Sequence, residues 1–176
     1  ADRGRYSPHE ERQYQPYGVL SEVGEGRGSI DGVVTRYAMD NIVVIGAGPV
    51  GATFALLAKR QGLDVSLMEA REGPSRETRS LALSHGSRDI LDAANAWHAG
   101  LNATEIQAIH TSHKGGFGRT LITREDGRVP ALGYVLSYAD LQAALDAALD
   151  AQQIVVRRGA AVSAFEETGD HIDIRF

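Results

Sequence analysis

A chain of 176 residues with 43% hydrophobic and 23% charged side chains has the composition of an ordinary globular protein, long enough for one sizeable core and a small second lobe. Its net charge of -5 and pI near 5.7, without a cluster of Lys and Arg, exclude a nucleic-acid surface as its main business. The absence of cysteine excludes disulfides, thiolate nucleophiles and Cys-based metal sites. It suits a cytoplasmic protein, as does the lack of a signal-peptide h-region or of an apolar run reaching the ~18 residues of a membrane span.

Residues 1–38 hold four of the six tyrosines and are rich in glycine and charge, with no sustained helical or strand period. Met39 stands just before the first strong strand signal. The stretch 1–38 therefore reads as an extension or flexible arm outside the fold; the alternative is an arm whose tyrosines pack on a partner.

The next thirty residues organise the rest. Ile42 to Ile45 form a short apolar run typical of a buried parallel strand, and Gly46, Gly48 and Gly51 follow at GxGxxG spacing. Gly46 permits a tight turn, Gly48 lets backbone approach a pyrophosphate, and Gly51 lets the following helix pack close on the strand. That helix starts at Pro49 and is expected to bury Val50, Phe54, Leu57 and Ala58, ending in Lys59, Arg60 and Gln61 before Gly62. Val65 to Glu69 form a second strand ending in a carboxylate, at the ~20-residue spacing expected of an acid that binds ribose hydroxyls. Strand, turn, helix, strand and acid together indicate an adenine dinucleotide. The carboxylate of Glu69 would repel a 2'-phosphate, so FAD or NAD fits better than NADP.

Downstream, 70–79 is a polar loop in which Arg79 is either a cation facing the pyrophosphate or a solvated loop arginine. Ser80 to Ser87 lead into a helix through Ile90, Leu91 and Ala94, capped by Ser84 or Ser87. Glu105 to His113 and Arg119 to Thr123 read as two strands joined by the glycine-rich turn 114–118, the beginning of a second sheet. Arg124, Glu125, Asp126 and Arg128 are a solvated turn. Gly133 to Ser137 is a strand. Tyr138 to Asp150 is a helix burying Leu141, Ala144, Leu145, Ala148 and Leu149. Ile154 to Arg157 is a short strand, and Ala161 to Phe176 alternate as an antiparallel pair turned at 168–171.

No metal site is expected. His110 and His113 are three apart on a strand, where alternation sends them to opposite faces, and His85 and His98 are surface or packed residues. Ser84, Ser87 and Ser112 lack the surroundings of a hydrolytic nucleophile.

Several stretches together resemble the flavoprotein monooxygenases of the aromatic-hydroxylase type, most closely the ubiquinone-biosynthesis hydroxylases. They are Val44-Ile-Gly-Ala-Gly-Pro-Val-Gly51, Glu69-Ala-Arg71, Arg79-Ser-Leu-Ala-Leu-Ser-His-Gly-Ser87, Ile109-His-Thr-Ser-His113, Phe117-Gly-Arg119 and Leu132-Gly-Tyr-Val-Leu-Ser-Tyr-Ala-Asp-Leu-Gln142. The first is shared by many FAD and NAD proteins, whereas the Arg79 and Leu132 stretches are more specific to this family. The resemblance implies an α/β fold: a Rossmann-like FAD-binding βαβ domain with the start of a second, mainly antiparallel sheet. It divides the chain into a first FAD-binding part at 39–103, the start of a substrate-domain sheet at 104–137 and a return to the FAD-binding domain at 138–176. It implies that Gly46, Gly48, Pro49, Val50, Gly51, Glu69, Ala70, Arg79 and Tyr138 line the FAD site. Tyr138 stands where the family usually has Arg or Gln, and a phenol offers one hydrogen bond in place of a guanidinium charge.

The family reaction so implied uses NAD(P)H to reduce FAD, adds dioxygen at the flavin C4a position as a hydroperoxide, and delivers one oxygen atom to an aromatic ring, here a ubiquinone precursor. The family's later Asp-Gly and Gly-Asp segments have no counterpart in place; Asp31-Gly32 and Asp126-Gly127 lie elsewhere. The chain thus reads as the N-terminal portion of such an enzyme, inactive alone. Peripheral membrane contact, a homo-oligomer or membership of a biosynthetic complex are compatible with it. An NAD- or FAD-dependent dehydrogenase or reductase, and a non-catalytic nucleotide-binding fragment, are the alternatives.

Overall fold

The structure is a computed structural model. It describes residues 42–113, 115–116, 118–169 and 171–176, together with strand backbone at 19–22 and 34–38. A parallel sheet of three strands sits at its centre, β3 (Ile42–Ile45), β4 (Val65–Glu69) and β10 (Val155–Arg158), in the order β10-β4-β3. Helix α1 (Pro49–Arg60) connects β3 to β4. The register is regular, with Ile42 opposite Val65 and Arg158 opposite Glu69. Because β4 is central, Val65, Leu67 and Met68 are buried. β3 is one of the two outer strands of the described three: Ile42, Val43 and Val44 are half-buried and Ile45 is 55% exposed, less enclosed than its run of β-formers predicts.

Alternation along the strands separates two apolar layers. Val65 and Leu67, with Ile42 and Val44, face α1, α2 (His85–Ala93) and α4 (Tyr138–Ala151), where Leu56, Leu91, Leu141, Leu145 and Leu149 complete the main core. Val43 and Met68 face the other way, toward Ala160, Val162, Ile172 and Ile174. Helices therefore cover one face of the sheet and an antiparallel sheet the other, where a doubly wound dinucleotide-binding fold carries helices on both.

The α1 face expected to be buried is largely the wrong one. Val50 is 85% and Phe54 52% exposed, Leu57 is half-buried, and only Ala58 of the four is buried; Ala52, Ala55 and Leu56 do the packing. The cause lies at Gly51, where any Cβ would collide with the Gly46 carbonyl oxygen and press on Val44. At Gly51 the helix lies so close to the turn that small side chains suit its first two turns, while Leu56, further along, fills the core. α4 buries its whole expected stripe. Ser137 caps it by accepting a hydrogen bond from the Asp140 N–H at 3.0 Å.

The antiparallel sheet on the far face has the order β1-β2-β12-β11, from Val19–Glu22, Val34–Ala38, His171–Arg175 and Ala164–Thr168. The hairpin expected at 161–176 is present. The expectation that 1–38 stand outside the fold is corrected for 19–22 and 34–38, since β2 pairs with β12 along its length, Ile174 opposite Thr35. The β-forming Val34, Thr35 and Tyr37 cover an edge that β12 would otherwise leave open.

A further sheet, β5-β9-β6, joins Ser80–Ser84, Gly133–Ser137 and Thr104–Ile106. It takes strands from both sides of residue 103, and Leu136 lies in the main core with Leu81 and Leu83 against it, so 104–137 is not packed as a body of its own. The strand expected over 105–113 is two: β6 pairs with β9, while β7 (Ala108–Ser112) pairs, among the described residues, only with β8 (Arg119–Thr123). Arg124–Gly127, expected as a turn, is a short helix α3 closed by a capping box between Thr123 and Asp126. Ser84, not Ser87, caps α2.

Candidate cofactor site

The site is built at the C-terminal end of β3 and β4, where open α/β sheets bind ligands. Gly46 adopts φ +97°, a left-handed conformation that turns the chain sharply from β3 into α1. Gly48 is the N-cap of α1 with ordinary extended dihedrals and no side chain to cap the helix, and Pro49 is its first residue. The first turn of the helix carries no acidic side chain. Its backbone donors and positive dipole end are thus left for an anion. Val50 contributes backbone here, its side chain being exposed.

Glu69 ends β4 beside this turn and is 6% exposed. One carboxylate oxygen accepts the Ala47 N–H at 2.8 Å and an Arg71 Nη2–H at 3.1 Å; the other accepts the Arg71 backbone N–H and Nε–H, both at 3.0 Å. The Arg71 side chain, then the backbone N–H groups of Arg71 and Ala47, outweigh burial and hold its carboxyl at about 2, well below the usual range. The same pairing raises the Arg71 guanidinium. Glu69 is thus a fixed charge at the turn. Four donors fill its acceptor positions, so any further donor would have to displace one of them. Ala70, between the two partners, is exposed.

Arg79 and Tyr138 come together across the chain. The Tyr138 N–H donates to the Arg79 carbonyl at 2.9 Å, and the Arg79 guanidinium lies over the phenol ring, 5.1 Å from its centroid. The phenol oxygen would be 3.7 Å from a Cβ placed on Gly48. Tyr138, at the first turn of α4, therefore brings its hydroxyl to the glycine turn, with the exposed Arg79 charge beside it. The spacing of these three segments along the chain showed nothing of this convergence.

Two further residues of the site are not singled out as site residues by the sequence. Arg71 is the side-chain partner of Glu69; its signal was its place two residues past the strand-ending acid. Gln142, 2% exposed, donates from Nε2 to the Ala47 carbonyl at 2.9 Å and to Asp146 Oδ1 at 3.0 Å, and Asp146 pairs with Arg158 at 3.2 Å. Its signal was a polar side chain beside the leucine stripe of α4. Among the described residues no group of His, Asp or Glu is arranged to hold a metal ion.

A tight glycine turn, an uncapped helix N-terminus, a buried carboxylate and two arginines fit the adenosine and pyrophosphate half of a dinucleotide, which places the molecule among the dinucleotide-binding α/β proteins. The chain belongs to the FAD binding domain family, whose model matches residues 39–176. It is 37% identical over 62 residues to the ubiquinone hydroxylase UbiM of Neisseria meningitidis, a match covering 32% of this chain and 13% of that protein. It is 33% identical over 112 residues to a 6-methylpretetramide 4-monooxygenase of Streptomyces rimosus, covering 61% of this chain and 24% of the relative. In fold it is similar to CabE, an aromatic hydroxylase from angucycline biosynthesis, with a TM-score of 0.61 at 21% identity over 78% of this chain and 27% of that one. Family, relatives and fold agree with the aromatic-hydroxylase-type flavoproteins that the motifs resemble. The chain spans about a quarter or less of the curated relatives' length.

Proposed function

We propose that this chain holds the adenosine and pyrophosphate half of FAD in a monooxygenase that hydroxylates an aromatic ring. The observation that carries the reading is the convergence of Glu69, Arg79 and Tyr138 on the uncapped N-terminus of α1. The turn N–H groups and the α1 dipole meet the pyrophosphate, with the Tyr138 hydroxyl as a further donor and Arg79 as the balancing charge. Glu69 takes the ribose hydroxyls as Arg71 yields, and its fixed negative charge disfavours a 2'-phosphate. The flavin, reduced by NAD(P)H, supplies the dioxygen chemistry that transfers one oxygen atom to the ring. A quinone-precursor substrate is supported by the likeness to the ubiquinone hydroxylase over 62 residues.

The test is titration of the chain with FAD, NAD and NADP, followed by flavin and tryptophan fluorescence. FAD is expected to bind in preference to both nicotinamide nucleotides, and Tyr138→Phe to weaken it about fivefold while the ring stays under Arg79. Preference for NAD would instead make this a dehydrogenase-type site. For the enzyme containing this chain, NAD(P)H oxidation stimulated by phenolic quinone precursors and yielding hydroxylated product is expected; reduction of the precursor without oxygen incorporation would overturn the monooxygenase reading.

A further inference from the structure

We infer that Gln142 is a positioning residue that presets the glycine turn for the nucleotide, acting through the carbonyl of Ala47. The inference rests on the reading of the turn as the FAD site. The Ala47 peptide lies between Gly46 and Gly48 and is gripped from both sides: its N–H by Glu69 at 2.8 Å and its carbonyl by Gln142 at 2.9 Å. The two grips come from the end of β4 and from the second turn of α4, residues 22 and 95 positions away. No local rule of turn geometry demands either.

Packing alone does not account for a glutamine at this position. Leu141, Leu145 and Leu149 bury the same helix, whereas the Gln142 Oε1 is buried with no hydrogen-bond partner among the described residues. An apolar side chain of similar length would avoid that loss. The amide cannot simply be reversed either, since Oε1 would then face the Ala47 carbonyl and the Asp146 carboxylate, both acceptors. What the glutamine gains is two donors on one nitrogen, one spent on Ala47 and the other on Asp146. Asp146 is in turn held by Arg158, the last residue of β10 and the register partner of Glu69. The path Ala47, Gln142, Asp146, Arg158 thus ties the turn to the far strand of the parallel sheet. A turn held at both its N–H and its carbonyl presents its phosphate-facing donors without first having to be ordered.

Gln142→Met and Gln142→Glu test this. The methionine keeps length and volume and removes both donors. The introduced carboxyl can donate only when protonated, and burial beside Asp146 raises its affinity for a proton. In the chain without nucleotide, Gln142→Met is expected to speed amide exchange at residues 46–51 by at least tenfold relative to wild type, with exchange in β4 and α4 unchanged. FAD is expected to bind Gln142→Met about tenfold more weakly at any pH. In Gln142→Glu it should bind about tenfold more weakly at pH 8 and recover much of that loss at pH 5, while wild type changes little. Unchanged exchange at 46–51 in Gln142→Met, or equal FAD weakening of Gln142→Glu at both pH values, would overturn the inference. Failure of the wild-type chain to bind FAD would count against the cofactor reading alone, because the exchange measurement decides the tether without nucleotide.

Discussion

The glycine turn and the β7–β8 hairpin are both short, exposed-looking stretches of sequence, yet the molecule treats them in opposite ways. The turn is held by the buried Glu69 carboxylate from β4, the Gln142 amide from α4 and a helix that closes on the Gly46 carbonyl. Among the described residues the hairpin pairs only with itself, and every residue of β7 is exposed, as are Leu121 (60%) and the facing pair Ile109 and Ile122 (both 43%). A two-stranded ribbon is marginal by itself. Apolar side chains in strand alternation therefore do not make a core; a second layer must meet them. Polar side chains at a turn, by contrast, become buried structure when long-range partners use up their hydrogen bonds.

The largest break in this contrast should come from Gly51→Val. Its Cβ would collide with the Gly46 carbonyl oxygen, and destabilisation of about 3 kcal/mol or more is expected in denaturant melts, with FAD binding lost. Tolerance of valine would show that α1 can lift from the strand. Glu69→Gln should cost about 2 kcal/mol, discounted because Arg71 is one-third exposed. It should also change the response to acid. The folded pKa of Glu69, about 2, lies below the ordinary 4.5, so its contribution is fully present above 4.5 and is lost as pH falls toward 2. Wild type should lose up to about 3 kcal/mol across that window from this group, and Glu69→Gln should be correspondingly flatter in pH-dependent melts.

A smaller effect, about 1 kcal/mol, is expected of Ser137→Ala, which removes the N-cap of α4 just before Tyr138. Thermal melting measures it, and a loss in FAD affinity larger than the loss in stability would show that the cap also aims Tyr138. At the hairpin, Leu121→Lys should change stability by less than about 0.5 kcal/mol. It should reduce any self-association seen by light scattering, since Leu121, Ile109 and Ile122 are exposed apolar side chains on a two-stranded ribbon. A loss above 1 kcal/mol would mean that the hairpin packs more tightly than its exposure indicates.

The sequence by itself determined the βαβ unit, the glycine turn, the acid at the end of β4 and the buried stripe of α4. These rest on local sterics and on periodicity within one element, which neighbouring residues encode. Tertiary structure decided the rest. It chose the face of α1, because the close approach at Gly51 suits Ala52 and Ala55 better than Val50 and Phe54. It divided the stretch 105–113 between two sheets and recruited 34–38 as the neighbour of β12, because strand partners are set by the sheet and not by the strand. It stacked Arg79 on Tyr138 beside Gly48, and turned Glu69 and Gln142 onto one peptide, that of Ala47. Those contacts join residues up to 95 positions apart, and only packing of α4 against the sheet makes them neighbours.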